Sequence, residues 1–261
     1  MASTNSSVSV AIFSIALSVK FALMAGLPTQ AQVSAPNPLS EKTVASITFE
    51  PPDNQTLEDS AGGASRSGGF CPQDGMMEGP SVTPILPETK QGLTLSDRPT
   101  VFAYIPPTSA AQGYFIVKDK TEDYYYQTQV EIPNQGGIIS LTLPPEASPL
   151  ETGKTYQWSF VLACENPPRA DSPRVEGWIT RTEASATAMG QLPPEVSLEA
   201  ASQYGKEGIW YDTLSTLAEL RRSQPDRYTA AWDNFLSENG LEAIANQPLI
   251  QSIAPPSAIG H

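Results

Sequence analysis

Strict alternation of larger and smaller side chains between Thr155 and Cys164 is the clearest pattern in this chain. Alternate residues of a β-strand point to opposite faces, so the larger side chains share one face. They are Tyr156, Trp158, Phe160, Leu162 and Cys164. A face this apolar and aromatic has to be covered by a second layer. The pattern therefore predicts a strand in a buried core, with its cysteine pointing inward.

Seven short apolar or alternating runs lie between Gly92 and Thr182, each bounded by Pro, Gly, Asn or Asp. They are residues 92–96, 100–105, 114–118, 124–132, 137–143, 155–164 and 175–181. Their spacing leaves no helix between strands and predicts a seven-stranded antiparallel β-sandwich over residues 92–183. The motif Leu150-x-x-Gly153-x-x-Tyr156 resembles the turn into the penultimate strand of fibronectin type III and other immunoglobulin-like sandwiches, where the tyrosine forms a corner.

Residues 197–247 change to a helical period and follow a linker at residues 184–196. They predict a small helical bundle, packed on the sandwich or separate from it, before a tail at residues 248–261. The fold class is therefore mainly β with a C-terminal α segment. One imperfect copy of a tetratricopeptide-like spacing occurs here and cannot form a solenoid alone. Its residues are Gly208, Tyr211, Leu220 and Pro225.

Capping residues place three helices in that segment. Ser197 is a candidate N-cap for a helix that ends near Tyr204, and residues 209–222 predict a second helix. Asp226 is a candidate N-cap for the third helix, and Gly240 suits its left-handed C-cap.

The first part of the chain predicts export. An apolar stretch followed by small residues is typical of a secretory signal peptide, here residues 1–31 with cleavage after Ala31. An uncleaved anchor is the alternative, although Lys20 leaves no apolar run of the roughly 20 residues that a span needs. Residues 32–91 are rich in Pro, Gly and Ser, which predicts a disordered linker. Cleavage would leave no transmembrane span and would place the protein in the periplasm or outside the cell.

Charge and cysteine content narrow the function further. The chain has 15 basic and 28 acidic residues, for a formal net charge of −13, so nucleic-acid binding is not expected. Its two cysteines, Cys71 and Cys164, favour a disulfide in an exported chain, which would tether the linker to the sandwich. Two unpaired buried thiols are the alternative.

Several short motifs occur together between residues 92 and 250, and together they are specific although none is so alone. They are Gly92-Leu-Thr-Leu-Ser96, Pro99-Thr100, Tyr104-Ile-Pro106, Gly137-Ile-Ile-Ser-Leu141, Pro149-Leu-Glu-x-Gly-Lys-x-Tyr156-x-Trp158, Val175-Glu-Gly-Trp178, Gly208-Ile-Trp-Tyr-Asp212 and Leu217-Ala-Glu-Leu-Arg-Arg222. In these motifs the chain resembles the cyanobacterial family called domain of unknown function 928. The resemblance implies export and a compact domain, and it implies no reaction.

No catalytic, cofactor-binding or metal-binding set is recognisable. The only histidine, His261, argues against Ser-His-Asp and Cys-His hydrolases and against histidine-ligated metals. The glycine pairs lack the Lys-Ser/Thr that follows a phosphate-binding loop. Asp119, Glu122 and Asp123 are close in sequence but do not follow the EF-hand pattern. Neither a metal nor a cofactor is predicted.

Aromatic residues are the remaining candidates for a binding site. Trp178 follows Val175 at odd spacing, so it can face away from the core and stack on a sugar ring, or it can pack between sandwich and helices. Tyr124, Tyr125 and Tyr126 belong to a hairpin or strand edge and are candidates for a partner interface.

We therefore expect a non-catalytic binding module of the cell envelope that contacts a protein partner or an envelope polymer. The alternatives are a carbohydrate-binding module and a glycosidase that uses only carboxylates, which would need two acids across an open cleft. A purely structural envelope component is a third possibility.

Overall fold

Eight strands in two sheets precede three helices in the computed structural model, which describes residues 46–52, 69–75, 78–184 and 195–250. A 3₁₀ turn, Pro72–Asp74, precedes the first strand. The strands are β1 (Thr83–Pro84), β2 (Gln91–Thr94), β3 (Thr100–Ile105), β4 (Gln112–Asp119), β5 (Tyr125–Glu131), β6 (Gly137–Thr142), β7 (Thr155–Leu162) and β8 (Arg174–Arg181). The helices are α1 (Leu198–Lys206), α2 (Trp210–Ser223) and α3 (Pro225–Glu238).

The larger sheet has the order β2-β8-β7-β4-β5, and β5 forms one of its two edges. Strand β2 runs parallel to β8, whereas the other neighbouring pairs are antiparallel. The register places Phe115 of β4 opposite Phe160 of β7 and Val117 opposite Trp158. These four side chains are buried, so cross-strand pairs of large residues fill the inner face of this sheet.

The smaller sheet has the order β1-β3-β6 and supplies the opposite wall of the core. Strands β3 and β6 are buried over nearly their whole length, with Val101, Phe102, Ile138 and Ile139 at 1% exposure or less. After α3, Leu249 forms a parallel bridge to Ile138, which extends the edge of this sheet at β6. Near-continuous apolar runs are typical of strands covered on both faces, and here the helices cover the second face: Phe102 contacts Trp232 of α3 with ring centroids 5.9 Å apart.

The prediction of a mainly β fold with a C-terminal helical segment is confirmed, with eight strands in place of seven. The seven predicted runs correspond to β2 through β8, and the additional strand is β1. The linker was predicted to be disordered up to residue 91, yet its part at residues 82–86 is packed. Val82, Ile85 and Leu86 are buried, and Ile85 N–H donates to the Phe102 carbonyl at 3.0 Å. Only three apolar residues carry this packing, which is too few to produce a periodic signal.

Helix termini follow the predicted chemistry with one exception. The Ser197 hydroxyl accepts from the Ala200 N–H at 3.1 Å and caps α1. Gly240 has φ +78° and, with the Leu241 N–H bonded to the Leu236 carbonyl at 3.0 Å, ends α3 in a Schellman motif. The prediction of Asp226 as N-cap was wrong. Pro225 occupies the first helical position, where its missing N–H costs nothing, so Asp226 lies inside the first turn.

Helix α2 docks on the edge of the larger sheet through its first turn. The Tyr211 hydroxyl accepts from Nε1 of Trp158 at 2.8 Å and donates to the Trp178 carbonyl at 2.9 Å. The Asp212 carboxylate accepts from the Thr94 hydroxyl at 2.8 Å. Close approach depends on Gly92, where a β-carbon would lie 2.7 Å from a ring carbon of Tyr211.

A segment at residues 46–52 lies along the helices. Ile47 is buried, and the Phe49 ring meets the Trp210 ring edge-on with centroids 4.8 Å apart. The Glu50 N–H donates to the Gly205 carbonyl at 3.0 Å. The predicted signal peptide, residues 1–31, and the tail after residue 250 lie outside the described residues. No helix in the described part of the chain is long and apolar enough to cross a membrane.

Candidate functional site

The edge strand β5 is the best candidate for a contact site, because nothing in the described part of the chain pairs with its outer side. Strand β4 bonds to its inner side over the register from Gln112↔Glu131 to Lys118↔Tyr125. An unpaired strand edge presents a row of backbone donors and acceptors that another strand can join. The geometry of β5 therefore determines which backbone groups a partner would meet.

The hydrogen-bond register shows which residues of β5 face outward. Asp119 N–H donates to the Tyr124 carbonyl at 3.1 Å, and Ile132 N–H donates to the Ala111 carbonyl at 2.9 Å. Even-numbered residues therefore bond to β4, since inward and outward backbone groups alternate along an antiparallel strand. The outward N–H and C=O groups belong to Tyr125, Gln127, Gln129 and Glu131.

Tyr125 is the principal apolar group on this edge. It is 57% exposed and, with Val196, is one of two large apolar residues that the described residues leave exposed. Its hydroxyl donates to Oε1 of Gln127 at 2.5 Å, so the ring lies along the strand. A large, amphipathic ring on an open strand edge is the kind of side chain that anchors protein interfaces.

The two neighbouring tyrosines serve the core and not the edge. The Tyr124 hydroxyl donates to the Ser148 carbonyl at 2.7 Å, and its ring lies 5.0 Å from that of Tyr156 in an edge-on contact. Burial raises the pKa of Tyr124 to about 12 and also raises the pKa of Tyr126. Both side chains are half-buried and pack on the core, so of the three predicted tyrosines only Tyr125 is exposed.

Trp178 does not offer an open ring. Its residue is 9% exposed, and the Lys120 ammonium lies 5.9 Å from the ring centroid. It does face away from Val175 and Ile179, which lie in the core, as the sequence pattern predicted. A sugar could not stack on a ring this covered, so the carbohydrate-binding alternative loses the residue on which it depended.

The predicted disulfide between Cys71 and Cys164 is present, with Cα atoms 5.4 Å apart. It fixes the 3₁₀ turn against the end of β7, and Asp74 in that turn accepts from the Thr108 hydroxyl at 2.6 Å and the Ser109 N–H at 2.8 Å. The linker is thus joined to the sandwich by a covalent bond and by a carboxylate.

A cavity of about 210 Å³ beside the disulfide contains two carboxylates, Glu165 and Asp171. The Asp171 carboxylate lies 3.3 Å from Nε of Arg169, which offsets its charge. Ligand pockets are usually about 300 to 1,000 Å³ in volume, so this one is small for a sugar.

Two buried or partly buried acids, Asp212 and Asp233, are bonded within the fold. Burial raises the pKa of Asp212, whose carboxylate is bonded to the end of β2, and the pKa of Asp233, which lies beside Arg221. Within residues 46–52, 69–75, 78–184 and 195–250, no group of three or more His, Cys, Asp or Glu is placed to hold a metal ion.

The sequence singled out Tyr125 and, by alternation, placed it with Gln127 and Gln129 on the solvent side of a strand. It could not show that the strand lies at an edge, because strand order depends on pairings between distant parts of the chain.

Together these features define a two-sheet β protein with a C-terminal helical segment and an open edge at β5. The sequence matches the family described as Domain of Unknown Function (DUF928) over residues 61–249. That match covers more than half of the chain, so the protein belongs to this family. No curated protein and no solved structure matches the chain. Strand β5 lies inside the matched region, whereas the segment at residues 46–52 precedes it.

Proposed function

We propose that the protein is an exported, non-catalytic binding module of the cell envelope that holds an extended segment of a protein partner along β5. The open outer edge of β5, with Tyr125 exposed at its start, is the observation that carries this proposal. In such strand addition, main-chain hydrogen bonds supply affinity and alternate side chains supply specificity.

Charge indicates the chemistry of the partner segment. Glu131 at one end of β5 and Asp123 at the other are exposed acids, and Glu122 is paired with Lys118 at 2.8 Å. The whole chain has a formal net charge of −13. A second copy of this edge would place like charges together, whereas a segment with Lys or Arg at its ends would be attracted. The proposed occupant is therefore an extended basic segment.

An immunoglobulin-like assignment of the sandwich also belongs to this proposal. It is supported by the parallel pairing of β2 with β8, by the three-stranded sheet facing a five-stranded one, and by a tyrosine corner. In that corner the Tyr156 hydroxyl accepts from the Glu151 N–H at 3.0 Å. Export is supported by the disulfide, which oxidising compartments favour. Sequencing the N-terminus of the protein isolated from envelope fractions tests it, and residue 32 as the first residue is the expected result.

A photo-cross-linking amino acid at position 125, introduced into the full chain in intact cells, tests the contact directly. We expect a protein adduct whose cross-linked peptide, identified by mass spectrometry, is extended and basic. The same amino acid at Glu242, an exposed position in the helical segment, is the control and should not give this adduct.

A proline at an outward position of β5 distinguishes a partner that hydrogen-bonds to the strand edge from one that is only close to it. Gln127→Pro removes an outward N–H without removing a bond to β4, and Gln127→Ala removes only the side chain. We expect the position-125 adduct to fall about ten-fold with Gln127→Pro, the equivalent of one lost backbone bond, and to persist with Gln127→Ala. An adduct that survives Gln127→Pro in a chain with unchanged melting temperature would overturn the proposal.

A further inference from the structure

A second site, independent of β5, lies where α2 ends and α3 begins. It is a cavity of about 480 Å³, lined by Arg221, Arg222, Pro225, Thr229 and Leu249. Leu249 reaches it because the chain after α3 returns to β6: the Ile138 N–H donates to the Pro248 carbonyl at 2.8 Å, and the Ile250 N–H donates to the Ile138 carbonyl at 2.8 Å. Three separate parts of the chain thus form its walls.

Arg221 is held in place by groups on three sides. Its Nη2 donates to the Gln247 carbonyl at 3.2 Å, and its Nη1 lies 3.8 Å from the Asp233 carboxylate. The guanidinium carbon lies 5.7 Å from the centroid of the Trp232 ring. Desolvation lowers the pKa of Arg221, and the neighbouring Asp233 carboxylate raises it. Arg221 therefore joins α2 to α3 and to the chain after α3, and Asp233 offsets its charge.

Only part of the Arg222 guanidinium is hydrogen-bonded within the described residues. Its Nη2 donates to the Ser140 hydroxyl at 2.8 Å, which fixes the plane of the group. Its Nε and Nη1 make no hydrogen bond to any residue that the structure describes. Along one edge of the guanidinium Nη2 lies beside Nε, and along the other it lies beside Nη1. Because Nη2 carries a second N–H beyond the one bonded to Ser140, one of these edges still fits the two oxygens of a carboxylate. Burial lowers the pKa of Arg222, and the charge of Glu219, one turn before it on α2, raises this pKa.

The rest of the lining limits the chemistry of a ligand. Asp233 offsets the charge of Arg221, which leaves the charge of Arg222 for the ligand. A lining with one exposed guanidinium suits a singly charged carboxylate better than a doubly charged phosphate. Pro225 and Leu249 offer apolar surface, and Thr229 offers a hydroxyl. The volume falls within the range of about 300 to 1,000 Å³ that small-molecule sites occupy.

We infer that this cavity binds a monocarboxylate with a short apolar chain, its carboxylate on the guanidinium of Arg222 and its apolar part against Pro225 and Leu249. The site goes beyond partner binding at β5 and uses none of the same residues.

Calorimetric titration of the full chain with hexanoate tests the inference, with hexanamide as the uncharged analogue and inorganic phosphate as the dianion. We expect saturable binding of hexanoate and none of hexanamide. Saturable binding of phosphate in place of hexanoate would overturn the assignment to carboxylates, and no saturable binding of either would overturn the site.

Three variants locate the binding. Arg222→Gln removes the charged fork, and Arg222→Lys keeps a charge without the fork. Arg174→Gln removes an exposed arginine outside the cavity and is the matched control. We expect hexanoate affinity to fall by about ten-fold or more in both Arg222 variants and to stay unchanged in Arg174→Gln. The inference is contradicted if Arg174→Gln loses as much affinity for hexanoate as the Arg222 variants. It is also contradicted if neither Arg222 variant loses affinity while its melting temperature is unchanged. Unchanged hexanoate binding in Gln127→Pro would show that the cavity and the β5 edge are independent sites.

Discussion

The indole Nε1 of Trp158 donates to the Tyr211 hydroxyl across 2.8 Å, and this bond joins the core of the larger sheet to the first turn of α2. Both side chains are 1% exposed or less. The same hydroxyl donates to the Trp178 carbonyl, so one phenol satisfies a donor on β7 and an acceptor on β8. Burial raises the pKa of Tyr211 far above its ordinary value, which keeps this hydroxyl protonated. The helical segment is therefore part of the same folded unit as the sandwich strands it touches.

Replacing Tyr211 by Phe should destabilise the protein strongly for so small a change. The variant leaves the Trp158 N–H buried without a partner, which costs about 1 to 3 kcal/mol, and it removes one of the donors to the Trp178 carbonyl. We expect a loss of roughly 1 to 3 kcal/mol in the free energy of urea unfolding. Tyr125→Phe removes a surface hydroxyl and should change it by less than about 0.5 kcal/mol. Equal effects of the two substitutions would show that the buried bond contributes little.

Asp212 should make folding stability depend on pH. Burial raises its pKa in the folded protein above the unfolded value of about 3.9. The folded state therefore binds more protons between these two values, and its stability is greatest below the unfolded pKa and decreases as pH rises through the folded pKa. Asp212→Asn keeps an oxygen to accept from Thr94 and Leu95 without the buried charge. We expect it to gain stability relative to the parent as pH rises from about 4 to 7.

Asp226→Asn is a matched control for that measurement. Asp226 is exposed in the first turn of α3, where a negative charge complements the helix dipole. Loss of this charge should reduce the free energy of unfolding at pH 7 by about 0.3 to 1 kcal/mol. This change is opposite in sign to the one expected for Asp212→Asn. If both variants respond to pH in the same way, the burial of Asp212 is not the cause.

The larger sheet was predictable where its signal is local. Alternation predicted four buried side chains, and all four are fully buried: Tyr156, Trp158, Phe160 and Leu162. This prediction was possible because the two-residue period of a strand depends only on neighbouring residues. The predicted run at residues 100–105 coincides with β3. The disulfide was predictable from the cysteine number and the predicted export, because two cysteines leave only one pairing.

Features that depend on long-range contacts were not predictable. Strand β1 has two residues, and it exists because Ile85 and Leu86 pack beneath the helices and β8. The open edge at β5 and the cavity at Arg222 both arise from the order in which distant elements meet. Asp226 failed as an N-cap because Pro225 tolerates the first helical position, which makes Gln224 the N-cap and moves the boundary by two residues.

Loss of the disulfide should destabilise the protein and loosen the linker. Closing a loop with a sequence separation of 93 limits the unfolded chain by at most about 4.7 kcal/mol, and measured effects are usually about 2 to 4 kcal/mol. We expect Cys71→Ala with Cys164→Ala to lower the free energy of urea unfolding by that amount. Protease cleavage within residues 69–91 should also increase. Dithiothreitol should reproduce both effects in the parent and have none in the double variant, and an insensitive parent would contradict this.

Gly205→Ala should reverse the usual effect of that substitution in a helix. Alanine favours a helix over glycine by about 1 kcal/mol, so the change ordinarily stabilises. Here a β-carbon at position 205 would lie 2.5 Å from the Thr48 carbonyl oxygen, and the segment at residues 46–52 would have to move away from α1. That movement separates Phe49 from Trp210 and exposes Ile47. We expect faster proteolysis near residue 50 and a lower melting temperature, whereas Ser202→Ala on the same helix should leave proteolysis unchanged. A melting temperature that rises in Gly205→Ala would mean that the segment does not contribute to stability, since relief of the glycine penalty would then outweigh its displacement.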